Sequence, residues 1–371
     1  MGIEMSIYPQ SFFDIGEIIM RPIMYICFSN FSGYAFAARN YIHALHRSGL
    51  DVGLYPLDDA RILKMVDPNH WLLYTDLRNK KITPDTILVY HCIPTMQRRV
   101  KTKGNVTIGF CIFEGSEIPS LWMKYLNCNT AVVTASEFNE VALSHLEKPL
   151  HRIPHCLDFD IYTPNCPKHK EYDVFTFLFI GTWKNRKGIS ELLQAWMEEF
   201  GSDTSVQLLL KTETRRAQSF IYPKYGKVKN IQFISNKFPD EKMPSFIRSA
   251  DCIVLPTFGE GAGLVGLQAM AVGVPVIITN FSGVKEYANE QTATLIEPEG
   301  IRTIENLDSY VQFQGCTWPF VSVPGIRKAM RQVKDDYEAA QTKAKFAYQY
   351  VKDRFNYQVT VDKFKKLLEG I

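Results

Sequence analysis

The stretch Asp251–Asn280, DCIVLPTFGEGAGLVGLQAMAVGVPVIITN, constrains the fold more than any other part of the chain. Cys252 to Leu255 is an apolar run short enough for a buried strand, and Pro256 ends it. Gly259, Gly261 and Gly263 then form a loop with little side-chain bulk. Leu264, Leu267, Gln268 and Ala271 recur at helical spacing until Gly273 and Pro275 stop the helix. Val276 to Thr279 supplies the next strand. Strand, glycine loop, helix and strand make a parallel crossover unit. Such a unit presents free backbone N–H groups at a helix start beside the carboxyl end of a strand, which suits a phosphate.

Glu260 lies inside this loop. A carboxylate there repels phosphate, so its expected partners are the hydroxyl groups of a sugar next to the phosphate. Gln268 follows eight residues later, about two helical turns on, and can project toward the same crevice.

Together these residues resemble the donor-binding signature of family 4 glycosyltransferases, E-G-x-G-L-x-x-L-E followed by A-M-A-x-G-x-P-V. The match covers Glu260, Gly261, Gly263, Leu264, Leu267, Ala269, Met270, Ala271, Gly273, Pro275 and Val276; Ala262 fills the variable place, and Gln268 stands where the pattern has its second glutamate. The resemblance implies an α/β protein of the GT-B type, with two Rossmann-like domains facing across a cleft. It also implies transfer of a sugar from a nucleotide donor, such as a UDP- or GDP-sugar, with retention of anomeric configuration. No cofactor and no bound metal are implied.

Bulk properties agree with that class. A chain of 371 residues exceeds the usual single-core limit. A net charge of only +3 argues against a nucleic-acid backbone as the main partner. No apolar run is long enough to span a bilayer, and no basic cluster precedes the N-terminal apolar residues, so a cytoplasmic location is expected. The eight cysteines form no C-x-x-C pair and read as buried free thiols.

Residues 1–21 read as an extension with an apolar face of Phe12, Phe13, Ile15, Ile18 and Ile19. A first domain is expected over 22–166, starting with a strand Ile23–Phe28 and a helix through Ser48. Gly33 and Tyr34 match a G-Y pair that in the family faces acceptor and donor phosphates. Further strands are read at Val52–Tyr55, Ile87–Tyr90, Val106–Ile112 and Ala131–Thr134. Arg98, Arg99, Lys101 and Lys103 form a basic stretch: an acceptor or peripheral membrane patch, or a solvated connection. Glu114, Pro119 and Trp122 fit an E-x-x-x-x-P-x-x-W segment of some relatives, with Glu114 as an acceptor contact or a helix cap. His91, near a strand end, reads as structural.

A polar linker precedes a second domain, expected over 167–345. Its first strand, Phe175–Ile180, runs into GTWKNRKG. The family places G-R and then K-G here, both cations reaching the donor diphosphate. Lys187-Gly188 match; Thr182 replaces the arginine, and Arg186 is the candidate substitute. Lys211 closes the next strand, and Asn236 follows Ile231–Ile234 where relatives hold the nucleobase. Gly283 and Glu286 fit a family G-x-x-E. A final helix from about 335 is expected to break near Phe355, with residues 346–371 crossing back onto the first domain. The expected centre is Lys187 and Glu260, with Gly33, Tyr34, Glu114, Arg186, Lys211, Asn236, Gly261, Ala262, Gly263, Leu264 and Gln268 binding substrate. A sugar-nucleotide epimerase of the same architecture and a non-catalytic nucleotide-sugar-binding subunit are the rival readings. The acceptor stays open.

Overall fold

The computed structural model describes residues 20–97, 100, 104–212, 219, 222–225, 227–305 and 311–371. The apolar N-terminal segment through 19 and the basic residues Arg98, Arg99, Lys101 and Lys103 lie outside that set.

Two six-stranded parallel sheets organise the chain. The first contains β1 (Ile23–Cys27), β2 (Val52–Pro56), β3 (Ile87–His91), β4 (Thr107–Phe110), β5 (Ala131–Thr134) and β6 (Leu150–Arg152), in the order 2-1-3-4-5-6. The second contains β7 (Phe175–Ile180), β8 (Val206–Lys211), β9 (Ile231–Ile234), β10 (Cys252–Leu255), β11 (Val276–Thr279) and β12 (Thr294–Ile296), in the order 12-11-10-7-8-9. Their central strands are apolar along most of their length because helices cover both faces. Every residue of β1, β3, β5, β10 and β11 is accordingly buried.

Each sheet reverses its strand order once, between β1 and β3 and between β7 and β10. The loops leaving such neighbours diverge and open a crevice at the carboxyl ends of the strands. In the second sheet those loops are Gly181–Gly188 and Pro256–Gly263, the two segments richest in site candidates. This is the GT-B architecture.

The final helix breaks at Phe355 as its sequence suggests, while helix Val323–Asp335 and a short hairpin are additions to that reading. Helix Val323–Asp335 precedes helix Tyr337–Arg354, and Asp336 between them caps the second by accepting from Ala339 N. Helix Tyr337–Arg354 packs on helix Leu264–Ala271. The chain turns at Phe355, whose carbonyl accepts from Leu157 N at 2.9 Å. Helix Tyr357–Glu369 then lies against helix Gly33–Arg47, burying Val361, Phe364 and Leu367 in the first domain's core. A short hairpin, β13 (Ile301–Thr303) and β14 (Thr317–Pro319), follows β12. It reaches the first domain, where Thr317 N donates to Ser116 Oγ at 2.8 Å and the Phe313 ring stacks on Phe113 at 5.0 Å.

All eight cysteines are free thiols; six are buried, Cys128 is exposed and Cys166 is partly covered. Among the described residues no helix is long and apolar enough to cross a membrane.

Candidate functional site

The loop after β7 must turn sharply from strand to helix, and Gly188 makes that turn with φ +64°. A Cβ at this position would stand 2.0 Å from the carbonyl oxygen of Pro256, so the loop depends on glycine there. The close approach brings the Arg186-Lys187 pair onto the loop after β10. Lys187 Nζ donates to Glu260 Oε1 at 2.6 Å, and Thr257 Oγ1 donates to the same oxygen at 2.9 Å. Arg186 Nη1 donates to Gly259 O at 2.6 Å and lies 3.2 Å from Glu260 Oε2. Its Nη2 donates across the cleft to Glu114 Oε1 at 2.7 Å.

Four expected site residues therefore form one chain of charges: Lys187, Glu260, Arg186 and Glu114. Burial alone raises the Glu260 carboxyl, but the two cations outweigh it and hold it down at about 2. Burial pulls the Lys187 ammonium below its ordinary value, against the pull of Glu260. The cluster contains two cations and two carboxylates in a largely water-excluded place, where removal of one partner exposes the other to a heavy desolvation cost.

Several bonds fix the glycine loop. Glu260 N donates to Ser282 Oγ at 2.9 Å, and Gly283 N donates to Glu260 O at 2.9 Å. Ser282 holds φ +67°, a strained setting for a residue with a Cβ. Tyr287 Oη donates to the carbonyl of Gly263, itself left-handed at φ +72°. Across the cleft, Ser136 Oγ donates to Gly261 O at 2.6 Å. A Cβ on Gly261 would come within 2.5 Å of Ile112 Cγ2, so this glycine allows the domains to close. Gly283 packs beneath it, and Glu286 accepts from Glu137 N of the first domain at 2.7 Å.

The remaining candidates fall around this centre. Gly33 is exposed and faces Leu264 Cδ1, which would lie 3.7 Å from a Cβ on Gly33. The helix starts of the two domains thus confront each other, with Ala262 and Leu264 partly exposed between them. Tyr34 is tied elsewhere: its hydroxyl donates to Ile112 O at 2.6 Å, pinning the start of its helix to the segment just after β4. Gln268 is buried, and its Nε2 donates to Tyr162 Oη at 2.8 Å. Lys211 and Asn236 sit at and beyond the carboxyl ends of the neighbouring strands β8 and β9. Lys211 is half-buried with Nζ 5.5 Å from the Phe238 ring centre, and burial lowers its pKa; Asn236 is exposed. Neither touches the four-charge cluster. His91 is fully buried, stacked on Phe110 at 4.0 Å and bonded to Tyr25 Oη at 2.8 Å, as a structural histidine.

Sequence reasoning missed three contributors. Tyr162 orients Gln268; Trp318 Nε1 donates to Glu114 O at 3.0 Å; and Arg39 makes a two-pronged pair with Asp240, at 2.7 and 3.1 Å, between the domains. All three act over separations of more than a hundred residues, which local patterns do not carry. A fully polar side chain in the middle of an apolar helix face was the one available signal for Arg39.

Residues 174–307 match the family model described as glycosyl transferases group 1. A D-inositol 3-phosphate glycosyltransferase of Paenarthrobacter aurescens is 27% identical over 179 residues, 44% of each chain. The O-antigen chain mannosyltransferase B of Escherichia coli is 30% identical over 131 residues, 30% of each. These matches span less than half the length of the relatives. Among solved structures, Anabaena HepE in complex with UDP and glucose superposes with a TM-score of 0.70 at 12% identity, covering 95% of this chain and 100% of that one. A glycosyltransferase from Rickettsia africae gives 0.67 at 15% identity, covering 95% and 98%.

Proposed function

We propose that this chain, whose residues 174–307 match the group 1 glycosyl transferase model, moves a sugar from a nucleoside-diphosphate donor to an acceptor hydroxyl with retention of configuration. The observation that carries this reading is the contact of Lys187 with Glu260 at the strand-order reversal of the second sheet. One loop there brings two adjacent cations, and the facing loop brings a carboxylate beside a glycine-rich helix start.

The chemistry follows from where charge develops. Breaking the bond between the anomeric carbon and the diphosphate leaves negative charge on the departing oxygen. Lys187, Arg186 and the backbone amides of the Gly261–Leu264 turn lie where they can stabilise that charge, and groups aimed at charge that grows in the transition state accelerate the step. Arg186 takes the place that Thr182 leaves vacant. Glu260 holds sugar hydroxyls and favours positive charge at the anomeric carbon. The acceptor oxygen bonds to that carbon on the face the diphosphate leaves, and its proton passes to the departing phosphate oxygen. No step calls for a metal. Gln268 meets the ribose through its carbonyl oxygen while its amide stays with Tyr162.

Relatives at the sequence level are named for transfer to inositol phosphate and to an O-antigen chain, and HepE was solved with UDP and glucose. These support a nucleotide-sugar donor and a hydroxyl acceptor. A thermal-shift screen of UDP-, GDP-, ADP- and TDP-sugars, followed by measurement of free nucleoside diphosphate, tests the reading. Stabilisation by one donor with release of its diphosphate supports it. Isomerised donor with the nucleotide still attached points to an epimerase, and tight binding without turnover to a non-catalytic subunit.

A further inference from the structure

We propose that the first domain carries a divalent-cation site, best suited to Zn²⁺, formed by His43, Asp67 and His70. This inference stands apart from the transfer reading. His43 comes from the third turn of helix Gly33–Arg47, and Asp67 and His70 from a tight turn between two short helices. Asp67 Oδ1 is 2.9 Å from His70 Nδ1, and Asp67 Oδ2 is 3.5 Å from His43 Nε2. The two imidazole rings are 4.1 Å apart at their centres, and one ligand atom from each residue lies within 4.8 Å of the others. A tetrahedral zinc with bonds of about 2.0–2.2 Å spaces its ligands roughly 3.4 Å apart, so little movement is needed to admit the ion. Two imidazoles with one carboxylate are also a nitrogen-and-oxygen set of the kind zinc takes.

The surroundings favour a cation there. Arg39 is matched by Asp240 and Arg47 by Asp158. Among the described residues the ion-pair partners of Asp67 are the two histidines. Hydrogen bonds hold the set in place. Tyr74 Oη donates to Asp67 Oδ2 at 2.5 Å and lies 2.8 Å from His43 Nε2, so either the phenol or a water can complete four-coordination. Ligation requires each histidine to carry its proton on the nitrogen facing away from the ion. His43, Asp67 and His70 also line a cavity between the domains, shared with Asn40, Asp158 and Tyr357, which gives the ion and a water access. His43 is ten residues from Gly33, about 15 Å along the helix, so the ion would fasten the segment 63–78 to that helix and would not touch reacting groups.

The test is calorimetric titration of the chelator-stripped full chain with Zn²⁺, paired with the visible absorption of Co²⁺. The expected result is one equivalent bound, a rise in thermal midpoint and tetrahedral cobalt bands, with affinity at least tenfold weaker in His70→Gln. His70 is partly exposed, so that variant should fold as the parent does, which circular dichroism checks; His43→Gln is the second variant. Absence of stoichiometric binding overturns the proposal. So does binding that is unchanged in His70→Gln, or that disappears in Cys128→Ser, since either assigns the ion to other groups.

Discussion

Lys187 Nζ and Glu260 Oε1 meet at 2.6 Å, closing the gap between the loop after β7 and the loop after β10. Neither loop alone makes a site. Under the proposed function, their junction supplies cations for a diphosphate and a carboxylate for a sugar, and in the structure these groups hold one another.

Lys187→Ala should reduce turnover by about ten- to a hundredfold, as a charge-assisted contact contributes roughly 1.5–3 kcal/mol. Folding should survive, because Arg186 remains 3.2 Å from Glu260 to balance it. Steady-state rates and a melting curve for the same preparation check both halves. Unchanged turnover would pass the role to Arg186.

Glu260 should contribute a pH-dependent part of the stability. Its folded-state value, about 2, lies below its ordinary 4.5, so the contribution is full above about pH 4.5 and is lost as pH falls toward 2. Urea titrations of wild type and Glu260→Gln between pH 3 and 7 should show a stability gap that narrows on acidification. A gap independent of pH would mean that the carboxylate charge is not what the cluster uses.

Gly188→Ala should destabilise the fold by more than about 1–2 kcal/mol, the cost of the left-handed setting alone, because its Cβ also meets Pro256 O at 2.0 Å. Denaturant midpoints check it. Gly261→Ala should act differently, wedging against Ile112 and lowering turnover more than stability.

For Gln268, alanine should weaken nucleotide binding about tenfold, near the ~1 kcal/mol of a net hydrogen bond. Gln268→Glu should retain or improve affinity. Tyr162→Phe should leave it nearly intact, since the tyrosine holds the amide end. Calorimetry with the cognate nucleotide separates the cases: equal losses in Gln268→Ala and Tyr162→Phe would make the glutamine a packing residue.

Much of this was legible in the chain. Apolar runs such as Cys252–Leu255 and Val276–Thr279 declare buried parallel strands, and the glycines between them mark a loop with little side-chain bulk. Elements resting on three residues were not legible: β6, β12 and the β13–β14 hairpin are too short for periodicity to register. Helix Val323–Asp335 carries Pro324 and Gly325 in its first turn, residues that weaken a helical pattern, and Ser322 caps it by accepting from Gly325 N. The reach of Arg186 to Glu114 was also beyond the sequence. It depends on how the two domains close, which no local pattern encodes.

The most direct test of the central claim is release of nucleoside diphosphate from the donor picked out by the thermal-shift screen, compared between wild type and Lys187→Ala at saturating donor. Wild type should release it, and the variant should do so at least tenfold more slowly with its fold intact. Equal rates, or donor conversion without any free diphosphate, would contradict the claim.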